Sequence, residues 1–284
     1  MRKSVIGIIL LSIVIVGIAL PMGFSAQQGG KVITYGETTY NNANYKSNVD
    51  NFFSQQAHVD PSNIQSKIIT ASDVNKISGT ISQKTYSSDQ IFSSALVDLD
   101  EKGAIKVTVD KEQVTVVTAN MYISALKSAG ITHGHVYVTS PVPATGESAL
   151  AGIMHAYEQA TNVQIPETVQ EAANKEIYTE TQIVENDNVS ADQLTKMVDD
   201  VKQTVQNNNI TDHTTIVNII YNYTTTNNIN MTNSSIENLA TSIGQVQTVQ
   251  GDVQNYSNQV NQVIGNTSGG FSLDGLFSKL GIKS

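Results

Sequence analysis

The sequence predicts an α+β or α/β protein, with a mixed β-sheet and packed helices, followed by a mainly helical C-terminal extension. Three observations support this fold class. Short β-branched runs alternate with amphipathic helix patterns over the first part of the chain. Beyond a composition break near residues 186–190, the chain is rich in Asn, Thr, Gln and Val, with apolar residues at helical spacing. That later part also contains no proline.

Strands are predicted from short runs rich in Val, Ile and Thr that are bounded by turn residues. The turn Asp100-Glu101-Lys102-Gly103 predicts that the two runs on either side of it pair as a β-hairpin. The predicted strands are Lys31–Tyr35, Lys67–Thr70, Ile91–Leu99, Ala104–Val109, Val114–Val117 and Ile131–Thr139.

Helices are predicted where apolar residues recur every three to four positions. Thr118 is a favourable N-cap for the second helix, and Gly130 suits the left-handed position after its end. Pro166 belongs at the first position of the last helix in this part of the chain. The predicted helices are Asn41–His58, Ala119–Ala129, Glu147–Ala160 and Pro166–Ile177.

The extension shows helix starts and a long apolar seam. Ser190 with Gln193 forms the pattern of a capping box, and Thr211 is a further N-cap. Ser234 with Glu237 forms a second capping box. The seam either packs on the α/β domain or drives self-association through residues 236–263, and its few flanking charges favour packing. Its members are Ile236, Leu239, Ile243, Val246, Val249, Val253, Tyr256, Val260 and Val263.

The N-terminus has the pattern of an export signal. Arg2 and Lys3 precede the apolar run Val5–Leu20, which Pro21 ends. The small residues of 23–26 then suit a signal peptidase. Cleavage is favoured because a spanning helix needs about 20 apolar residues, and Val5–Phe24 reaches that length only if Pro21 and Gly23 are tolerated. The remaining alternative is an uncleaved anchor, and in either case we expect an extracytoplasmic protein, secreted or anchored at the cell surface.

The chain divides into four predicted segments. Residues 1–26 form the signal peptide or anchor, and residues 27–186 form the mixed α/β domain. Residues 187–266 form the Asn-, Thr- and Gln-rich helical extension. Residues 267–284 form a flexible linker and a short amphipathic helix, whose apolar residues are Phe271, Leu273, Leu276, Phe277 and Leu280.

Composition excludes several classes of function. The chain has no cysteine, so it uses no disulfide, thiol nucleophile or thiolate metal ligand. Removing Arg2 and Lys3 leaves 14 basic residues against 25 acidic ones, a net charge of −11. An acidic chain whose lysines are scattered singly is not suited to binding nucleic acid. We expect no cofactor, because no phosphate-binding glycine loop or catalytic motif is recognisable.

A Pro-rich loop is the candidate binding segment. It precedes Gly146-Glu147-Ser148-Ala149, which lacks the final glycine of a hydrolase nucleophile elbow. A helix N-terminus with Thr145 as its cap is the favoured interpretation. The candidate binding residues are Pro141, Pro143, Thr145, Gly146 and Ser148.

Two metal-site patterns are weak. His133 and His135 fall on one face of a predicted strand but lack a third ligand at a fixed spacing. The run from Asp98 begins like a calcium loop, yet its fifth position is Lys102 and its twelfth is Val109. No metal ligands are therefore assigned.

Sequons of the form Asn-x-Ser/Thr are confined to the region after the composition break. An Asn- and Thr-rich tract produces such triplets by chance, but in an exported chain they would be accessible acceptors. The candidate N-glycosylation residues are Asn188, Asn209, Asn222, Asn230, Asn233, Asn255 and Asn266.

The middle of the chain resembles a known family. The segments that carry the resemblance are residues 86–97, residues 118–130, and above all residues 140–154, with their Pro-x-Pro-x-x-Gly loop and following helix. These are similar to the YpuA-like family of uncharacterised exported proteins of Gram-positive bacteria and some archaea. The resemblance covers roughly Val32 to Glu185. It implies an extracytoplasmic location and transfers no activity.

Three functional hypotheses follow. The leading one is a non-enzymatic envelope or surface protein that binds an envelope polymer or another surface protein. The second is a hydrolase of cell-envelope material with an unrecognised site. The third is a module that self-assembles through its helical C-terminal region.

Overall fold

A computed structural model of the protein describes residues 30–81 and 85–267. Its strands are β1 (Lys31–Gly36), β2 (Gln65–Ile69), β3 (Ser94–Asp98), β4 (Lys106–Val109) and β5 (His135–Thr139). They form one mixed sheet in the order β2-β1-β3-β5-β4. The predicted fold class, a mixed sheet with packed helices and a helical C-terminal region, is confirmed.

Helices pack on both faces of the sheet and form the C-terminal part of the described chain. Pro166 is the N-cap of one of them, which ends at Asp187 rather than near the predicted Ile177. The helices are α1 (Glu37–Asn41), α2 (Ala43–Ala57), α3 (Ala71–Ile81), α4 (Ala119–Ser128), α5 (Ala149–Thr161), α6 (Glu167–Asp187), α7 (Ala191–Asn207), α8 (His213–Thr226), α9 (Asn233–Thr248) and α10 (Gln250–Thr267).

The predicted hairpin around Asp100–Gly103 is wrong. β5 lies between β3 and β4, antiparallel to β3 and parallel to β4. Ile105 N–H donates to Thr132 O, and Lys106 N–H donates to Gly134 O. The turn residues predict a local reversal but not the partner strand. α4 supplies the crossover that a parallel β4–β5 pair requires.

The predicted strand Val114–Val117 is also wrong. A single bridge between Val114 and Ala144 replaces it. The N–H groups of Thr115 and Val117 donate to the carbonyls of Ala144 and Thr145, so this segment lies along the Pro-rich loop rather than in the sheet. A short run of β-branched residues cannot distinguish these two arrangements.

Side-chain alternation along the strands builds two cores on opposite faces of the sheet. On one face, Ile33, Leu96 and Tyr137 pack with Val49 and Phe53 of α2. The other face packs against α4 and α5, and α6 and α10 join the same core. Its strand residues are Val32, Ala95, Val97, Val136 and Val138.

The helical region has a further core of its own, which includes Leu194, Val198, Ile216, Ile220 and Leu239. The apolar seam is divided at Val249, where α9 ends with φ −95° and ψ 6° before α10 begins. The α9 part packs mainly on α6, α7 and α8, and the α10 part joins the sheet core. Eight of the nine seam residues are thus buried inside the chain, as packing helices require, and self-association through residues 236–263 stays a prediction.

Capping differs from the sequence pattern at several helix starts. Ser190 is the N-cap of α7 but makes no side-chain capping bond. Asp212 caps α8 in place of Thr211, and Thr232 caps α9 in place of Ser234. Thr118 caps α4 as predicted, by accepting from Met121 N–H. A chain rich in Ser, Thr and Asn offers several caps in succession, and tertiary packing selects among them.

Two predicted segments, residues 1–26 and the apolar face of residues 271–280, lie outside the described residues. Over residues 30–81 and 85–267, no helix has both the length and the hydropathy to span a bilayer.

Candidate functional site

A cleft of about 510 Å³ lies between α7 on one side and α9 and α10 on the other, with the end of α4 at its base. This volume falls within the range of roughly 300–1,000 Å³ that ligand pockets occupy. The lining residues are Lys127, Ser128, Gly130, Thr132, Asp199, Asp200, Lys202, Gln203, Val205, Gln206, Ile243, Val246, Gln247, Gln250, Val253, Gln254 and Ser257.

The close approach of α10 to the end of α4 shapes one end of the cleft. Gly130 follows α4 with φ +77°, in the left-handed region that favours glycine. A Cβ at this position would lie 2.9 Å from Val253 O and 3.2 Å from Val253 Cγ1. Glycine therefore allows the backbone of α10 to pack directly on the α4–β5 turn.

A buried ion pair lies at the base of the cleft. Lys202 Nζ is 2.6 Å from Glu176 Oε1, and it also donates to Ser124 Oγ at 2.7 Å and Ser128 Oγ at 3.0 Å. Ser128 Oγ donates to Glu176 Oε2 at 2.7 Å, and Ser124 Oγ donates to Asp199 Oδ1 at 2.6 Å. These bonds join α4, α6 and α7 through one polar network. Its charges are satisfied within the protein.

Electrostatics hold Lys202 in its charged form. Burial by itself lowers the pKa of Lys202, but the charge and hydrogen bond of Glu176 outweigh it, so the pKa is raised. Glu180 lies one turn after Glu176 on α6 and is fully buried. Burial, together with the nearby Glu176 carboxylate, raises the pKa of Glu180 well above its ordinary value. The network thus pairs one lysine with one carboxylate, and burial favours the protonated form of the second carboxyl.

Glutamine side chains dominate the rest of the lining. Gln203 and Gln206 belong to α7, and Gln247, Gln250 and Gln254 belong to α9 and α10. Gln206 Nε2 donates to Gln250 Oε1 at 3.2 Å across the cleft. Each amide offers two N–H donors and a carbonyl acceptor, and none carries charge. This lining suits a polar, uncharged ligand.

No sequence motif predicts the buried network, although the position of its carboxylates in α6 indicates it. On α6, Glu176 and Glu180 fall in the same helical stripe as Val169, Ala173 and Ile183, and all five are buried. A carboxylate inside an apolar stripe indicates either a buried ion pair or a functional group. The lysine on α7 that pairs with Glu176 could not be identified from the sequence, because lysines are scattered along the chain and several could form such a pair.

The five residues of the candidate binding loop lie away from this cleft, since none of them contributes to its lining. Pro143 is exposed, whereas Pro141, Thr145 and Ser148 are half-buried and Gly146 is buried. The carbonyls of Thr145 and Gly146 accept from Val117 N–H and Tyr122 Oη. The expected Thr145 cap is not formed, because Ser148 is the N-cap of α5 and makes no capping bond. Ligand binding by the loop stays a prediction.

A buried carboxyl and three tyrosines underlie that loop. Glu147 is 3% exposed, and Tyr86 Oη donates to its Oε1 at 3.2 Å. Burial raises the pKa of Tyr86, with the Tyr178 hydroxyl and the Glu147 carboxylate adding to the effect. Burial likewise raises the pKa of Tyr122 and Tyr178. These phenols stay protonated at neutral pH, and Tyr86 and Tyr122 donate the hydrogen bonds that hold the loop on the core.

His133 and His135 do not converge on a common metal site. His135 Nδ1 lies 3.0 Å from Glu101 Oε1, its Nε2 lies 2.8 Å from Thr108 Oγ1, and its ring stacks on Tyr137 at 4.1 Å. His133 is exposed and contacts Thr132 Oγ1 through Nδ1. Among the residues that the structure describes, no group of three or more His, Asp or Glu side chains could hold a metal ion.

The six sequon asparagines with described side chains are exposed. Asn188 and Asn209 adopt left-handed backbone conformations after α6 and α7, and Asn230 lies in the α8–α9 loop. Asn222, Asn233 and Asn255 lie within helices, and the Asn266 side chain is outside the part of the chain that the structure describes. Exposure agrees with what an acceptor site requires, and glycosylation itself stays a prediction.

Comparison with known proteins identifies the family. The family model described as "Protein of unknown function (DUF1002)" matches residues 35–263, from β1 to α10. The chain belongs to this family. The DUF1002 match extends beyond the resemblance seen in the sequence, which covered roughly Val32 to Glu185. It therefore includes the helices that form both walls of the cleft.

One curated relative supports the same assignment. "Uncharacterized protein YpuA" of Bacillus subtilis (strain 168) is 28% identical over 163 residues, which is 56% of this chain and 55% of the relative. The match thus spans about half the length of that DUF1002 relative. No solved structure matches the chain. Neither the family nor the relative carries a named activity.

Proposed function

We propose that this DUF1002 protein is a non-enzymatic binding protein of the cell exterior, and that the glutamine-lined cleft holds a polar, uncharged ligand. The observation that carries the proposal is the combination of five amide side chains with a fully paired Lys202–Glu176 interaction at the base. A site that presents many neutral donors and acceptors, with lysines and aspartates in equal number, favours reversible recognition over chemistry.

The serines near Lys202 do not favour a hydrolase. A serine nucleophile that relies on lysine needs that lysine neutral, so that it can accept the hydroxyl proton. The pKa of Lys202 is raised because Glu176 stabilises its charged form. Ser124 and Ser128 are buried, and each donates to a carboxylate of the network. This cluster supports a structural role, and it gives no support to the hydrolase hypothesis.

A location outside the cytoplasm is part of the proposal. It is supported by the order of positive charge, apolar run and small residues in residues 1–26. The intact mass of the native protein, taken from the cytoplasm, the membrane and the medium, tests it. We expect a soluble species that begins near residues 25–27. A full-length species confined to the cytoplasm would contradict the location.

Binding at the cleft is tested by titration with neutral oligosaccharides and with capped, uncharged peptides, followed by calorimetry. We expect at least one class to bind and Gln203→Trp to abolish binding, because the indole fills the space beside the α7 wall. Gln259→Trp is the matched control, since Gln259 is exposed on α10 and does not line the cleft. If neither class bound the unaltered protein at millimolar concentration, the proposal would be overturned.

A further inference from the structure

The geometry points to an extended, uncharged peptide segment as the ligand of the cleft, an inference that rests on the proposed function and narrows it to one chemical class. The segment would lie between α7 and the α9–α10 pair. Its backbone amides would pair with the glutamine side chains.

The pairing of Gln206 with Gln250 is the first argument. Their 3.2 Å bond is an amide–amide hydrogen bond that spans the two walls of the cleft. A peptide unit carries the same N–H donor and C=O acceptor, and every residue of an extended segment must satisfy both. A bound peptide backbone can therefore replace the Gln206–Gln250 hydrogen bond with two amide–amide hydrogen bonds, one to each side chain.

The arrangement of the amides is the second argument. Gln250 and Gln254 are four residues apart on one face of α10, and Gln247 lines the same wall from the end of α9. Gln203 and Gln206 are three residues apart on the opposite wall. Two rows of amides that face each other match the two edges of an extended chain, which presents donors and acceptors on both sides.

The apolar part of the lining is the third argument. The apolar residues of the lining are Val205, Ile243, Val246 and Val253, which are aliphatic and largely buried in the core. Of the described residues that line the cleft, none is aromatic. The C–H face of a sugar ring packs best on the flat face of an aromatic side chain, and no such face is offered here. Small aliphatic side chains of a peptide fit this lining better than a glycan does.

Charge is the fourth argument. The lining contains two lysines and two aspartates, so it has no net charge to select a charged ligand. Lys202 is held by Glu176, and Asp200 accepts from Lys196 at 2.6 Å and from Tyr223 Oη at 2.7 Å. Lys202 and Asp200 are thus engaged within the protein, so an ionic ligand would gain little from these two groups.

The test uses NMR on the ¹⁵N-labelled protein, with residues 27–284 as the mature chain. The probes are capped, uncharged hexapeptides of Ala, Ser, Thr and Val, and, separately, chitotetraose and cellotetraose. The side-chain NH₂ signals of Gln203, Gln206, Gln247, Gln250 and Gln254 report directly on the cleft. We expect the peptides to shift these signals and the oligosaccharides to leave them in place.

Variants sharpen the test. Gln203→Ala and Gln254→Ala should each weaken peptide binding by roughly two- to tenfold, the effect of losing one hydrogen bond. Gln259→Ala, outside the cleft, should leave the affinity unchanged. Shifts produced only by the oligosaccharides would overturn the peptide inference and keep the proposed binding function. If neither class shifted these signals, both the peptide inference and the proposed binding function would be overturned. If Gln203→Ala and Gln254→Ala left the peptide affinity unchanged, the peptide would bind elsewhere, and the inference would be overturned.

Discussion

Lys202 Nζ and Glu176 Oε1 lie 2.6 Å apart at the base of the cleft, and this contact joins α7 to α6. Both side chains are largely buried, with 14% and 0% exposure. Because each charge is removed from water, each depends on the other for compensation. The pair therefore links the stability of the helical region to that of the sheet domain.

Breaking this pair should be costly. Lys202→Met leaves Glu176 buried without its counter-charge, and we expect the free energy of unfolding to fall by about 3–5 kcal/mol. Urea denaturation followed by circular dichroism measures the change. The double variant Lys202→Met/Glu176→Gln removes both charges and should recover part of the loss. Equal stability of the single and double variants would show that the charges are not coupled.

The buried carboxyl of Glu180 should make stability depend on pH. Its pKa is raised in the folded protein, so the folded state retains a proton that the unfolded chain releases above the ordinary value of 4.5. The contribution of this group is present in full below that value and is lost as pH rises toward the folded pKa. The glutamine of Glu180→Gln does not titrate, so the variant does not lose this contribution as pH rises. The free energy of unfolding of the variant, relative to that of the unaltered protein, should therefore increase from pH 4.5 to pH 8.

Urea titrations at both pH values provide the comparison, and Glu185→Gln on the exposed side of α6 is the control. A difference between the Glu180→Gln variant and the unaltered protein that stays constant with pH would contradict a buried neutral carboxyl.

Gly130 should tolerate no side chain. Gly130→Ala combines a left-handed φ of +77° with a Cβ contact of 2.9 Å to Val253 O, so we expect a loss of more than about 1 kcal/mol. Gly251→Ala is the matched control, because a Cβ there meets nothing within 4 Å. It lies within α10 and should stabilise the protein by roughly 0.5–1 kcal/mol. Thermal unfolding of the two variants should therefore shift in opposite directions.

Tyr86 should anchor the Pro-rich loop. Tyr86→Phe removes the hydroxyl that donates to Glu147 Oε1 in a buried setting, and we expect a loss of about 1–3 kcal/mol. Tyr221→Phe, at a position 55% exposed, should change stability little. Chemical denaturation measures both variants. A Tyr86→Phe protein as stable as the Tyr221→Phe protein would exclude this hydroxyl as an anchor.

Much of the fold was predictable because short-range patterns determine it. The β-branched run in Lys31–Tyr35 and the helix spacing after Thr118 each produce the element that the structure contains. The hairpin prediction failed for a definite reason. A turn such as Asp100–Gly103 indicates that the chain reverses, but not that a strand arriving later, β5, takes the position beside β3.

The candidate site was less accessible to sequence reasoning. Glu176 and Glu180 could have been flagged as carboxylates in an apolar stripe, but their partner Lys202 lies 26 residues beyond Glu176. The five glutamines looked like ordinary polar surface, since nothing in their local spacing indicates that α7 faces α9 and α10. The Pro-rich loop was easier to notice than the cleft, because its motif is contiguous.

The sequence by itself determined the fold class, the family resemblance, most helices, and the absence of cysteine chemistry. These depend on composition and on periodicities of two and 3.6 residues, which are local properties of the chain. Only the tertiary structure decided the strand order, the burial of the apolar seam within the chain, and the meeting of Lys202 with Glu176 beneath the glutamines. Those features depend on contacts between distant segments, and such contacts are selected by the packing of the whole core rather than by any local pattern.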